Sequence, residues 1–352
     1  MAGSTTARFA IETRGSTRQL GAFVVAARFD RTGRELAFGL GDGSVRRIDP
    51  AAPDGTWRTA SVHAGAVLAL AAHPVAGFIS GGDDGRLRRL APDGSVSEIA
   101  AFGMKWVEQV ASFPGERGLI ACAVGKTVHL FDAEGRKLKE LAHPSSVTGL
   151  AFDAKGKRIA ASHYNGASLW FVGAKADSPR VLEWKGSHTA IALHPEGEAV
   201  VTAMQENALH GWALPDGKHM RMSGYPSKTR ALSFSRAGKW LASSGADAMV
   251  LWPFFGGGPM GKAPMELAGG DGVLCTDVAF QPREEVVAGG FADGLVVLAD
   301  VNSSRILPVA PPGQGPVSAL AWSPAGTHLA IGTEQGFAAV VDLSQRPPAA
   351  GG

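Results

Sequence analysis

Apolar positions along this chain come in short bursts of strand length, each ending near an aromatic residue and a tight turn, and the burst recurs at a nearly fixed interval. The copies are VVAARFDRTG from Val24, VLALAAHPVAG from Val67, VEQVASFPGERG from Val107 and VTGLAFDAKG from Val147, then TAIALHPEG from Thr189, TRALSFSRAG from Thr229, CTDVAFQPRE from Cys275 and VSALAWSPAG from Val317. Their equivalent positions Phe29, Ala72, Ser112, Phe152, Leu193, Phe234, Phe280 and Trp322 are separated by 43, 40, 40, 41, 41, 46 and 42 residues. Alternation without helical spacing predicts strands. A period of ~40–45 residues is that of a four-stranded unit repeated around an axis.

Within each copy a second apolar stretch leads to a turn, as in LAFGLGDG, FISGGDDG, IAASHYNG and VAGGFADG. Asp-Gly and Asn-Gly supply the positive φ of a two-residue hairpin, which assigns that role to Gly43, Gly85, Gly166 and Gly294. Third strands follow, ending at Ile48, Leu90, Phe131, Trp170, Trp212, Trp252, Ala299 and Val341. Fourth strands are legible from Thr56, Val96, Lys137, Arg180, His219, Pro264 and Arg305, but the eighth copy has none. The N-terminal segment from Ala7 to Thr13 has strand character and no repeat of its own. It is expected to complete the last blade and so remove a long unpaired edge. The expected fold is all-β: a single closed propeller of four-stranded antiparallel blades over residues 7–344, eight-bladed with seven as the alternative, with flexible tails at 1–6 and 345–352.

The repeat resembles that of the WD40 family, which runs from a Gly-His through an aromatic-Ser-Pro turn and an Asp-Gly hairpin to a terminal Trp-Asp. Ala321-Trp322-Ser323-Pro324 is close to that pattern, and His63 and His143 each stand nine residues before their anchor positions. No copy carries a literal Trp-Asp pair. The resemblance implies that the segments before the first strand and in the second-to-third turn share one face. On that face it puts Lys105, Trp106, Glu108, Tyr164, Asn165, Met204, Gln205, Glu206, Tyr225, Lys228 and Arg230. Aromatic, Met and Arg side chains are enriched at interface centres, so this set is the candidate surface for a protein or peptide partner.

Composition narrows the remaining classes. The chain has 352 residues with 47 glycines, twice the usual share, and a net charge of +2 with signs interspersed, which gives no footprint for nucleic acid. The N-terminus lacks a secretory pattern, and the longest apolar stretch, Ala66 to Ile79, is broken by His73, Pro74 and Gly77; neither a membrane nor an oxidising compartment is expected. Cys122 and Cys275 each lie in an apolar run and read as small buried hydrophobes. The expectation is a cytoplasmic monomer with no cofactor.

Gly256 to Lys262 has phosphate-loop spacing, but Ala263 lacks the hydroxyl that would hold magnesium and Pro264 follows where a helix must begin. No Ser elbow, zincin helix or paired Cys-x-x-Cys occurs, so a non-enzymatic scaffold is favoured. Two alternatives stand beside it: a small-molecule enzyme in the central channel, and a metal-binding propeller. For the second, His163 and His188 have no role in the repeat pattern and would share an ion with Glu108 or Glu206. His129 and His210 fall at solvent-alternating positions of third strands.

Overall fold

A unit of four short strands can bury both faces only against neighbours, so a ring of such units gives every sheet two partners. The computed structural model describes residues 9–115, 118–176, 178–270 and 272–344, and its elements are antiparallel strands apart from one helical turn. In the first repeat Val24–Phe29, Leu36–Leu40, Ser44–Ile48 and Arg58–Ser61 pair in chain order. The second, third, sixth and seventh repeats do the same. Each of the eight anchor positions falls on the first strand of its repeat.

The last repeat supplies Val317–Trp322, His328–Thr333 and Phe337–Asp342, and Gly15–Gln19 from the other end of the chain pairs as its fourth strand, Gly15 opposite Val341 and Gln19 opposite Phe337. The strand expected over Ala7–Thr13 is not the one that pairs. Ala7 and Arg8, with the tails at 1–6 and 345–352, lie outside the described residues. Ala10–Arg14 instead forms a single helical turn that buries Ile11 against the last repeat. The pairing strand follows it as GSTRQ, largely exposed and without apolar alternation.

Among the described residues the strands fall into seven hydrogen-bonded sheets, six of four strands and one of six. Counted by sheets the number is therefore seven, the alternative count. The difference arises in repeats four and five. There two strands of fourteen residues, Arg158–Phe171 and Arg180–Leu193, join Gly149–Phe152 to Ala199–Met204, Ala208–Ala213 and His219–Met222. Arg180–Leu193 pairs through its first half with Arg158–Phe171, as in Leu169 opposite Arg180, and through its second half with Ala199–Met204, as in Leu193 opposite Val200.

First strands lie side by side in chain order around the centre, and that of the last repeat returns to Val24–Phe29. Hydroxyls staple neighbours together: Ser112 Oγ donates to the Ala72 carbonyl at 2.5 Å, Thr276 Oγ1 to Val317 at 2.7 Å and Ser318 Oγ to Val24 at 2.6 Å. Glycines on second strands let the next repeat approach. A Cβ on Gly39 would lie 2.9 Å from a Val67 methyl, on Gly290 2.4 Å from a Val317 methyl, and on Gly332 2.4 Å from a Val24 methyl. The abundance of glycine thus serves the seams as well as the turns. Among the described residues no helix is long and apolar enough to cross a membrane.

Candidate functional site

Because strand direction alternates within each sheet, the connections between repeats and the second-to-third turns emerge at one end, here called the upper face. Backbone hydrogen bonds tie them together: His63 N–H donates to Gly43 O at 2.9 Å, Phe102 to Gly85 at 2.8 Å, Val147 to Gly125 at 2.9 Å, Gln205 to Ser187 at 2.9 Å and Gly313 to Asp293 at 2.7 Å. Gly85 has φ 72°, and a Cβ there would stand 1.9 Å from the Gly103 carbonyl, so the turn tucks under the incoming loop only as glycine.

Beneath this face, repeats two, four, five and six hold buried polar networks. His63 Nδ1 donates to Asp84 Oδ1 at 2.8 Å, and its Nε2 accepts from Ser80 Oγ at 2.9 Å. Trp170 Nε1 donates to His143 Nε2 at 3.1 Å. His188 Nε2 donates to the Trp184 carbonyl at 2.9 Å and its Nδ1 faces Thr202 Oγ1 at 2.7 Å. In the sixth repeat Tyr225 takes the histidine's place: Trp252 Nε1 donates to its hydroxyl at 2.6 Å, which meets Ser243 Oγ at 2.5 Å. Burial holds the imidazoles neutral, pushing His143 down to about 4, helped by neighbouring His163.

Nine of the eleven nominated partner residues are exposed: Lys105, Trp106, Glu108, Tyr164, Asn165, Gln205, Glu206, Lys228 and Arg230. Trp106 and Tyr164 are 57% and 58% exposed. Tyr164 stands opposite Ser187 in register, Asn165 Oδ1 accepts from Gly186 N at 3.2 Å, Glu206 Oε1 from Ser187 N at 3.2 Å, and Lys228 Nζ donates to Gln205 at 3.4 Å. These residues form one continuous band. Trp106 and Lys105 lie on the loop entering the third repeat. Two nominations are corrected. Met204 is buried at the end of its strand, and Tyr225 is buried because its hydroxyl belongs to the network just described. The residue missed was Met104, 96% exposed beside Trp106; an exposed thioether in a loop leaves no periodic signal.

His163 and His188 are both buried, with both ring nitrogens occupied: His163 Nδ1 donates to the Tyr164 carbonyl and its Nε2 accepts from Ser168 Oγ, each at 2.9 Å. Neither offers a free ligand atom, and no group of three His, Cys, Asp or Glu among the described residues is placed to hold a metal. His210, expected to face solvent, is also buried, stacked on Trp184 with ring centroids 4.0 Å apart, and pushed down to about 3 by burial and by His219. Cys122 and Cys275 are buried and free, and burial raises both thiols, Cys122 to about 12. The glycine-rich segment after Trp252 splits its two rings: Phe254 is buried against His194 and Phe234, whereas Phe255 is half-exposed against Trp240. Lys262 Nζ donates to the Phe255 and Gly256 carbonyls.

The central channel holds a space of about 460 Å³ lined by Arg28, Gln109, Thr148, Thr189, Arg230 and Asp277, among others. Asp277 accepts backbone N–H from Leu320 at 2.8 Å and Val278 at 2.9 Å. Burial nevertheless pushes its carboxyl up to about 7, only partly countered by Arg28. Two guanidinium groups, of Arg28 and Arg230, and the Asp277 carboxyl thus line the channel.

A family model described as the anaphase-promoting complex subunit 4 WD40 domain matches residues 278–348. Telomerase protein component 1 of Mus musculus is 26% identical over 236 residues, 63% of this chain, which spans only 8% of that protein. The crystal structure of the computationally designed Ika8 protein superposes with a TM-score of 0.75 at 20% identity, covering 92% of this chain and 98% of that one. That last likeness concerns the fold alone.

Proposed function

We propose that this chain, similar to WD40-repeat proteins in its repeat, in the family model matched over residues 278–348 and in its curated relative, is a non-enzymatic scaffold taking a protein or peptide on the upper face over repeats three to six. The observation that carries this reading is the band of exposed side chains from Tyr164 to Lys228, with Trp106 and Tyr164 more than half exposed. Large aromatics left in water at a loop-built face are what interface centres use. A chain of this kind contributes geometry rather than bond chemistry, and the partner supplies the process.

We also read the six-stranded sheet as two blades sharing their strands, which makes the ring eight-bladed, with Gly15–Gln19 as the closing strand. Each fourteen-residue strand has the length of two ordinary ones and pairs with different neighbours through its two halves, and eight first strands line the centre.

Affinity purification of the full chain from its native host, quantified by mass spectrometry, tests the scaffold reading. Trp106→Ala and Tyr164→Ala should each cost the retained partner about thirtyfold in affinity, ~2 kcal/mol, at an unchanged melting temperature. Full retention by both variants, with loss in Phe254→Ala/Phe255→Ala at an unchanged melting temperature, would move the site to the opposite face.

A further inference from the structure

The upper face is electrically divided. Over repeats three to six it exposes Lys105, Lys126, Lys185, Lys228 and Arg230. Among the described residues no carboxylate pairs with Lys105, Lys126 or Lys185; Lys228 meets only the Gln205 amide, and Arg230 reaches Glu334 at 3.9 Å. Around the rest of the rim the corresponding turns carry Asp42, Asp83, Asp293 and Glu334, while within repeats three to six Glu108, Glu206 and Asp247 are outnumbered by the five basic residues. The basic side is also the apolar side, since Met104, Trp106 and Tyr164 stand exposed there.

We propose that this basic, aromatic half selects an acidic peptide segment bearing an apolar side chain; the inference rests on the scaffold reading above and names the chemistry of its partner. Unpaired lysines at a rim steer and hold carboxylates, and the exposed rings supply the contact area that turns steering into residence. A nucleic-acid backbone fits less well. Glu108 and Glu206 stand among the lysines, where successive phosphates would meet them, while a peptide can place an N–H or a cation there. A second copy of the chain fits less well too. Pairing basic half to acidic half would set Met104, Trp106 and Tyr164 against a rim whose exposed large apolar side chain is Phe23 alone among the described residues.

The probe is a fluorescently labelled peptide of about twelve residues alternating Glu and Leu, followed by anisotropy against the full chain at low and high salt, beside the same peptide with Lys for Glu and a single-stranded DNA of equal length. The acidic peptide should bind, weaken about tenfold at high salt, and weaken about tenfold again in the variant combining Lys105→Glu, Lys126→Glu and Lys185→Glu at unchanged melting temperature. The Lys peptide should not bind. Equal binding of both peptides, or an unaffected triple variant, overturns the proposal; tighter binding of the DNA reassigns the face to nucleic acid. Self-association in sedimentation that the triple variant abolishes reassigns it to a second copy. Should the acidic peptide fail while Trp106→Ala and Tyr164→Ala still release the native partner, the acidic chemistry falls and the scaffold reading stands. If those variants keep the partner as well, both fall.

Discussion

Repeats seven, eight and one solve blade packing differently from repeats four, five and six. In the first group the second strand places Gly290, Gly332 and Gly39 against a valine of the next repeat. One position earlier stand Gly289, Ile331 and Phe38, so the interior is dry and the seam is backbone against methyl. In the second group the equivalents of Gly290 are Ser162, Ala203 and Ser244, and the third strands end in Trp170, Trp212 and Trp252, each donating its indole N–H, to His143 Nε2, the Glu183 carbonyl and the Tyr225 hydroxyl. Small residues at the seam give close approach with no side-chain polar group of their own; Trp, His and Ser fill a wider gap and bring polar atoms that call for partners. The second solution costs pH sensitivity. Nine of the ten histidines lie in repeats two to five, and the exposed aromatic face sits above the polar group.

The sharpest way to break the contrast is at the dry side, where one sheet borrows its outer strand. Removing residues 1–20 takes Ile11 and Leu20 out of the packed clusters and exposes the edge of Phe337–Asp342. Stability should fall on the order of 4 kcal/mol by urea unfolding, with aggregation.

A pH series then isolates the polar side. His143 has a native pKa of about 4 and His210 of about 3, both below the ordinary 6.5, so below pH 6.5 the unfolded chain takes up protons that the native one refuses. The stability these two histidines contribute is full above pH 6.5 and drains as pH falls, against the opposite trend of Asp277, whose carboxyl burial raises to about 7. His143 alone should account for roughly 3 kcal/mol lost by pH 4, and His143→Leu should flatten that limb by about the same amount. An acid limb left unchanged by His143→Leu would remove the distinction between the two halves.

The smallest effect tests the seam itself. Gly290→Val should cost about 2 kcal/mol through collision with Val317, and the reciprocal Ala203→Gly only about 1 kcal/mol through backbone freedom. Equal costs, measured by urea unfolding of both, would mean that glycine is not what sets the dry half apart.

The period was legible because each first strand had to end at a turn, and Phe29, Ala72 and their counterparts mark those ends whichever packing scheme follows. Gly15–Gln19 was not, because an edge strand facing water keeps no apolar alternation, and the more apolar Ala10–Arg14 beside it folded as a helical turn. His188 lies five residues before its anchor where His63 and His143 lie nine before theirs, so its place in a network was hidden by the unbroken strand running through it. Tyr225 was misplaced for a related reason: only the indole of Trp252, close in space and 27 residues away, shows that its hydroxyl points inward. The exposed members of the band were found because the repeat pattern puts them at the upper face, in its connections or where the long strand Arg158–Phe171 crosses it.

The strand Arg180–Leu193 belongs to the hydrogen-bond ladders of two successive repeats at once. Elsewhere a repeat can loosen by parting side chains from its neighbour, but here a fluctuation that frays one ladder pulls on the same peptide groups that hold the other. Repeats four and five should therefore open as a single unit, with their amides exchanging together in a hydrogen-exchange experiment. Tyr164, Asn165, Gln205 and Glu206 ride on that unit, so a partner docking there should meet a platform that yields as one body.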